Sequence, residues 1–146
     1  MLRISTDCCQ AKLTKNLLVR NKLILVMAIS WTAIVTYYSL VSSNEIPTMP
    51  MNFDKLGHLA FYFGTTLSWF LYFRSGKAKK SFKKAAITAF LISFFYGILI
   101  EVAQGLFTAT RQPDVIDVFA NTFGAILAII LIYLARFFSK SKNKAQ

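Results

Sequence analysis

Cysteine is nearly missing from this chain of 146 residues: there are two, Cys8 and Cys9, side by side. Adjacent residues rarely meet disulfide geometry, and a pair of thiols alone is no metal site. A disulfide scaffold or zinc ribbon is therefore not expected, and the pair reads as reduced cytoplasmic thiols. No apolar signal segment precedes it, as a lipoprotein signal would require. Proline is almost as scarce, with Pro47, Pro50 and Pro113 all lying between apolar runs. Histidine occurs once, as His58, which excludes paired-histidine motifs. A phosphate-cradling glycine loop and a serine-centred nucleophile signature are also missing. Acids number six against 17 Lys and Arg, for a net charge of +11.

What fills the chain instead is apolar. Hydrophobic residues make up 55%, above the roughly 45–50% of soluble domains. They gather in four runs: Leu23–Val41, Leu56–Phe73, Ala85–Ile100 (continuing past Glu101 to about Phe107) and Val118–Ala135. At about 1.5 Å per residue, 17–25 helical residues cross a hydrocarbon core. Four such runs in so short a chain leave no polar faces to cover buried soluble helices. The first run resembles a signal peptide in following Arg20 and Lys22, with Val41 and Ser43 near a cleavage pattern. Its apolar stretch exceeds the usual 7–15 residues and a long tail precedes it, so an uncleaved helix is expected.

Charge placement gives orientation. The N-terminal stretch holds Arg3, Lys12, Lys15, Arg20 and Lys22. The link between the second and third runs holds Arg74, Lys77, Lys79, Lys80, Lys83 and Lys84, and the C-terminal end Arg136, Lys140, Lys142 and Lys144. Lys55 and Arg111 alone lie on the other side, with five of the six acids: Glu45, Asp54, Glu101, Asp114 and Asp117. By the positive-inside rule, both termini and the middle loop are cytoplasmic. Basic loops of this kind explain the charge better than a nucleic-acid surface, and no nucleic-acid partner is expected. The fold class expected is all-α: a polytopic four-helix antiparallel bundle in a bacterial inner membrane. Its helices lie near 23–42, 55–73, 84–107 and 114–137, within a membrane domain at 23–138 flanked by basic tails at 1–22 and 139–146. Pro47 and Pro50 keep the first outer loop non-helical.

Three of the four helices carry a polar stripe at one depth. On the second, Asp54, His58 and Tyr62 repeat every four residues, beside Lys55. On the third, Gly97, Glu101 and Gln104 share a face, with Gly105 adjoining. On the fourth, Asp114, Asp117, Asn121 and Gly124 share another, and Arg111 precedes them in a loop closed by Pro113. A charge at a helix centre costs about 2.5–3.5 kcal/mol on insertion scales, so such residues should face one another or a wet cavity. The candidate ligand-binding set is Asp54, Lys55, His58, Tyr62, Glu101, Gln104, Arg111, Asp114, Asp117 and Asn121. A structural reading stands beside it: Asp54 and Asp114 as helix caps, Arg111 as interfacial glue, and the glycines with Ala128 as packing sites. No metal or cofactor is assigned. Should a divalent cation bind, His58, Glu101 and Asp117, with Asp54, have the right chemistry, since imidazole with carboxylates suits Zn, Mn or Fe. The same groups can do metal-free acid–base work, with Lys55 and Arg111 gripping a phosphate.

At these residues the chain resembles the VanZ-like family of small bacterial membrane proteins, named for a member linked to teicoplanin resistance. The likeness lies in Asp54-Lys55-x-x-His58-x-x-x-Tyr62, in Glu101-x-x-Gln104, and in Arg111-x-x-Asp114-x-x-Asp117-x-x-x-Asn121-x-x-Gly124. It spans roughly residues 23 to 135 and departs at Ala128, where relatives often carry glycine. The resemblance implies a four-helix membrane bundle and a cell-envelope role, and supplies no mechanism. Three functions stay open: an outward-facing pocket for an anionic lipid or wall-precursor head group, a membrane hydrolase or transferase acting on a phosphate-bearing lipid, and a structural or assembly subunit without ligand. The topology makes its own prediction. A reporter active only outside the cytoplasm, fused after Gln146, should be silent, and activity there would overturn the charge count.

Overall fold

The computed structural model describes residues 3–41, 51–75, 80–108 and 114–142, and side chains outside 3–17 and 51–53. Among the described residues there are four helices and no strand: α1 (Arg3–Leu40), α2 (Met51–Ser75), α3 (Phe82–Phe107) and α4 (Val115–Lys142). Pro47, Pro50, Arg111 and Pro113 lie outside the described residues.

Local chemistry accounts for the boundaries. Between Arg3 and Leu40 there is neither proline nor glycine, so α1 runs on through most of the stretch expected as a non-membrane tail. Cys8 and Cys9 fall inside it. Helix α2 opens directly after Pro50, a few residues before the expected start, which puts Asp54 in its first turn rather than at its cap. The Ser81 hydroxyl caps α3 by accepting from the Lys84 amide at 3.4 Å, so that helix starts at Phe82. At α4 the expected cap is present: the Ile116 amide donates to Asp114 Oδ1 at 2.8 Å, satisfying one of the orphan donors of a helix N-terminus.

Among the described residues, three stretches are long and apolar enough to cross a membrane: Leu18–Leu40, Phe82–Phe107 and Val115–Lys142. Helix α2 has the length, at 25 residues, but is not among them. Its polar side chains explain why. His58, Thr65, Thr66 and Ser68 are all buried, because α2 packs against each of the other three helices. A helix enclosed by protein can carry polar groups that a lipid-facing helix cannot.

The distribution of side-chain size is the reverse of that in a water-soluble bundle. The interior is lined by small residues, among them Ala28, Ala85, Ala86, Ala89, Ala125, Ala128 and Ser93. Large apolar side chains point outwards, with Leu106 72% and Phe107 80% exposed. Exposed apolar surface on this scale needs an apolar solvent, and small interfacial residues are how membrane helices approach closely. Ala128, the departure from the family pattern, is fully buried. Polar pairs join the helices across these contacts. Trp31 Nε1 donates to the Phe61 carbonyl at 3.1 Å, Trp69 Nε1 to Thr32 Oγ1 at 3.2 Å, and Thr66 Oγ1 to Ser93 Oγ at 2.8 Å. The Thr36 and Tyr96 hydroxyls lie 2.6 Å apart. Toward the other end of α2, Phe70, Ala85, Ala86, Ala89 and Ile132 close an apolar core.

The tightest approach is between α2 and α4. A Cβ added at Gly124 would run into the Leu59 backbone carbonyl, whereas one added at Gly57 would meet nothing within 4 Å. A backbone contact cannot yield by rotating a side chain, so the helices must separate. Gly124→Ala is expected to destabilise by about 1–3 kcal/mol, read as a lower unfolding temperature in detergent. Gly57→Ala should be neutral or gain up to about 1 kcal/mol from helix propensity. Equal behaviour of the two variants would contradict this packing.

Candidate functional site

With α2 and α4 in contact over Gly124, their N-terminal ends lie side by side, and the end of α3 carrying Glu101 completes the group. Lys55 reaches across from α2 to both acids of α4. Its Nζ donates to Asp114 Oδ2 at 3.2 Å and to Asp117 Oδ1 at 3.3 Å. Asp114 stands ahead of α4, and the Ile116 amide, followed by the Lys55 ammonium, holds its carboxyl below the usual carboxylate range. Lys55 and Asp114 are open to solvent, which screens such pairs, so each contributes little to stability. Their value is positional.

One turn deeper the chemistry changes from exposed to buried. His58, Glu101, Asp117 and Asn121 are 4%, 3%, 8% and 2% exposed. The Asn121 amide joins three helices: Nδ2 donates to Glu101 Oε1 at 3.3 Å, and Oδ1 lies 3.0 Å from His58 Nδ1. A carboxylate only accepts, so the amide turns its NH2 to Glu101. Its oxygen is then left for the imidazole, which must donate from Nδ1. In the neutral ring Nε2 is consequently bare. It faces Asp117 Oδ2 at 3.9 Å, beyond hydrogen-bond range. Glu101 Oε2 is buried without a hydrogen-bond partner among the described residues. Buried polar atoms left unpaired are uncommon in folded proteins.

The candidate set thus divides. Asp54, Lys55, His58, Glu101, Asp114, Asp117 and Asn121 come together. Gln104 does not join them: its Nε2 donates to the Ser39 carbonyl of α1 at 2.8 Å, so it ties α3 to α1. Helix α1, the one helix without a polar stripe, also engages its neighbours through Trp31, Thr32 and Thr36. Tyr62 is fully buried, its ring against Gly97 and 5.9 Å from that of Tyr96. Its hydroxyl has no hydrogen-bond partner among the described residues. Arg111 lies outside them.

Sequence reasoning missed one feature beside the cluster. Lys55, Leu56 and Leu59 of α2 face Ile116, Phe119, Ala120 and Phe123 of α4 across an open groove of about 520 Å³. Lys55 is both its charged residue and a member of the ion-pair network. The signal was present as apolar residues interleaved with the polar stripes, but it cannot be told from ordinary outward-facing surface until both helices are placed. A second groove, of about 620 Å³, lies toward the other ends of α2 and α4 and is edged by Arg74, Arg136 and Lys140.

An all-helical membrane protein with a buried polar cluster at the meeting of three helices is the class these features define. The family model described as VanZ/LLP1 matches residues 8–136. The chain belongs to that family. The match reaches back into the part of α1 that precedes the first apolar run. No curated protein and no solved structure matches the chain.

Asn121 should be the residue on which the buried network depends. Asn121→Leu leaves the Glu101 carboxylate and His58 Nδ1 without their partner, and is expected to cost about 1–3 kcal/mol. Asp114→Asn, at a solvent-screened pair, should cost less than that. Thermal unfolding of the two purified variants checks the order, and a larger loss for Asp114→Asn would contradict it.

Proposed function

We propose that this protein binds the head group of a phosphate-bearing lipid, or a lipid-linked wall precursor, at the outward-facing ends of α2, α3 and α4. In this reading all four helices cross the bacterial inner membrane as an antiparallel bundle, with both termini in the cytoplasm. The membrane domain then extends over residues 23–138. Contacts at two heights for each helix pair support alternating directions: Tyr38–Phe61 with Thr32–Trp69, His58–Glu101 with Thr66–Ser93, and Lys55–Asp117 with Leu59–Gly124. Enclosure by its neighbours accounts for a polar α2 in the membrane.

The observation that carries the proposal is the shared position of Lys55. It lines an apolar groove of about 520 Å³ and at the same time joins the polar network. A lipid lying along Leu59, Phe119 and Phe123 would bring its phosphate to Lys55. The cluster holds four carboxylates against one ammonium, so the anion is met by Lys55 together with Arg111. The acids and His58 then orient its hydroxyls or carry protons.

Retention of a polyprenyl phosphate by the purified protein tests this, read by native mass spectrometry beside the uncharged polyprenol. Selective retention is expected. Lys55→Gln should weaken it about tenfold, and Ala120→Trp, which fills the groove, should abolish it. Equal retention of the uncharged lipid, or no effect of either variant, would overturn the reading. Release of inorganic phosphate that is lost in both His58→Ala and Glu101→Ala would make the protein a hydrolase rather than a binder.

A further inference from the structure

We infer that Asp54, His58 and Asp117 form a binding site for one divalent transition-metal ion. One carboxylate oxygen from each aspartate and one ring nitrogen of the histidine lie within 4.8 Å of one another. The available nitrogen is Nε2, because Nδ1 is held by the Asn121 amide oxygen at 3.0 Å. That amide is itself held in orientation by Glu101. Ligating histidines characteristically have their second nitrogen fixed in this way by an outer partner, which sets both tautomer and ring plane. Nε2 belongs to a side chain 4% exposed and has no hydrogen-bond partner among the described residues. It points at Asp117 Oδ2, 3.9 Å away.

The two oxygens of Asp117 have separate tasks. Oδ1 accepts from Lys55, and Oδ2 is left to face the imidazole. Bonds of about 2.0–2.2 Å to nitrogen and oxygen bring ligand atoms somewhat closer together than they stand here. The exposed Asp54 side chain, in the first turn of α2, is free to rotate inwards. Imidazole with carboxylates selects Mn, Fe or Zn over the all-oxygen cations Mg and Ca. Three protein ligands leave coordination positions open to water or to a phosphate oxygen. A dication also answers the excess of carboxylates over the single ammonium.

Glu101, which the sequence suggested as a ligand, lies instead on the Nδ1 side at 3.7 Å and bonds the Asn121 amide. It is a positioning residue of this site, and Asp54 is the third ligand.

The test uses the purified protein in nanodiscs of zwitterionic lipid, with Mn²⁺ alone as the probe. One Mn²⁺ per chain should bind, displaced by Zn²⁺ but not by the same concentration of Mg²⁺. Pulsed electron paramagnetic resonance should show modulation from a directly coordinated histidine nitrogen. Asp54→Asn, at an exposed position that leaves the interior untouched, should weaken Mn²⁺ at least tenfold. His58→Gln should remove the nitrogen modulation. Failure of the wild-type protein to bind, or Mn²⁺ binding unchanged in Asp54→Asn, or nitrogen modulation persisting in His58→Gln, would overturn the site. No lipid ligand enters this measurement, so the metal site and the head-group reading stand or fall separately.

Discussion

The meeting of Gly124 with the Leu59 backbone governs the rest of this molecule. In an apolar solvent no hydrophobic force draws helices together, and association depends on close van der Waals approach and on interhelical hydrogen bonds. Without a side chain at Gly124, α4 sits directly against the α2 backbone. That separation lets the short side chain of Asn121 reach His58 and lets Lys55 span both Asp114 and Asp117. A methyl group at that point would push apart the helices on which the polar cluster is assembled.

The cluster is arranged by depth. Near the ends of α2 and α4 the partly exposed Lys55 ammonium is shared between two acids, Asp114 and Asp117. One turn further in, an uncharged amide takes over the organising role, binding a carboxylate with its NH2 and an imidazole with its oxygen. An amide can satisfy a donor and an acceptor simultaneously without introducing further charge, which suits a site removed from water. What it leaves is one oxygen of Glu101 buried without a partner and the imidazole Nε2 facing Asp117 Oδ2 across 3.9 Å.

Helix α2 illustrates how environment overrides composition. On its own it is too polar to stand with the three apolar spans. Surrounded by α1, α3 and α4, its threonine and serine hydroxyls find partners inside the helix or across it. Thr65 donates to the Phe61 carbonyl, Ser68 to that of Thr65, and Thr66 to Ser93. The same enclosure brings the single histidine of the chain under the cluster rather than toward lipid.

Much of this was legible in the order of residues. The apolar runs, the capping acid Asp114, the packing positions Gly97, Gly124 and Ala128 (though not Gly105, which is exposed) and the polar stripes on three helices all follow from periodicity, and periodicity is a local property. Residues four apart share a helix face whatever that helix packs against. What local pattern could not supply was the rotation and depth of each helix relative to its neighbours. Gln104 shares a face with Glu101, yet a small angular offset takes it to the Ser39 carbonyl of α1. Glu101 and Asp54 looked equivalent around His58, and only the packing gave one to Nδ1 and brought the other within reach of Asp117. The sequence by itself determined an all-helical membrane chain with its polar groups gathered at one depth. The tertiary structure decided which of those groups touch, because helices in lipid are set by close contacts spread over the whole bundle, and no single segment contains that information.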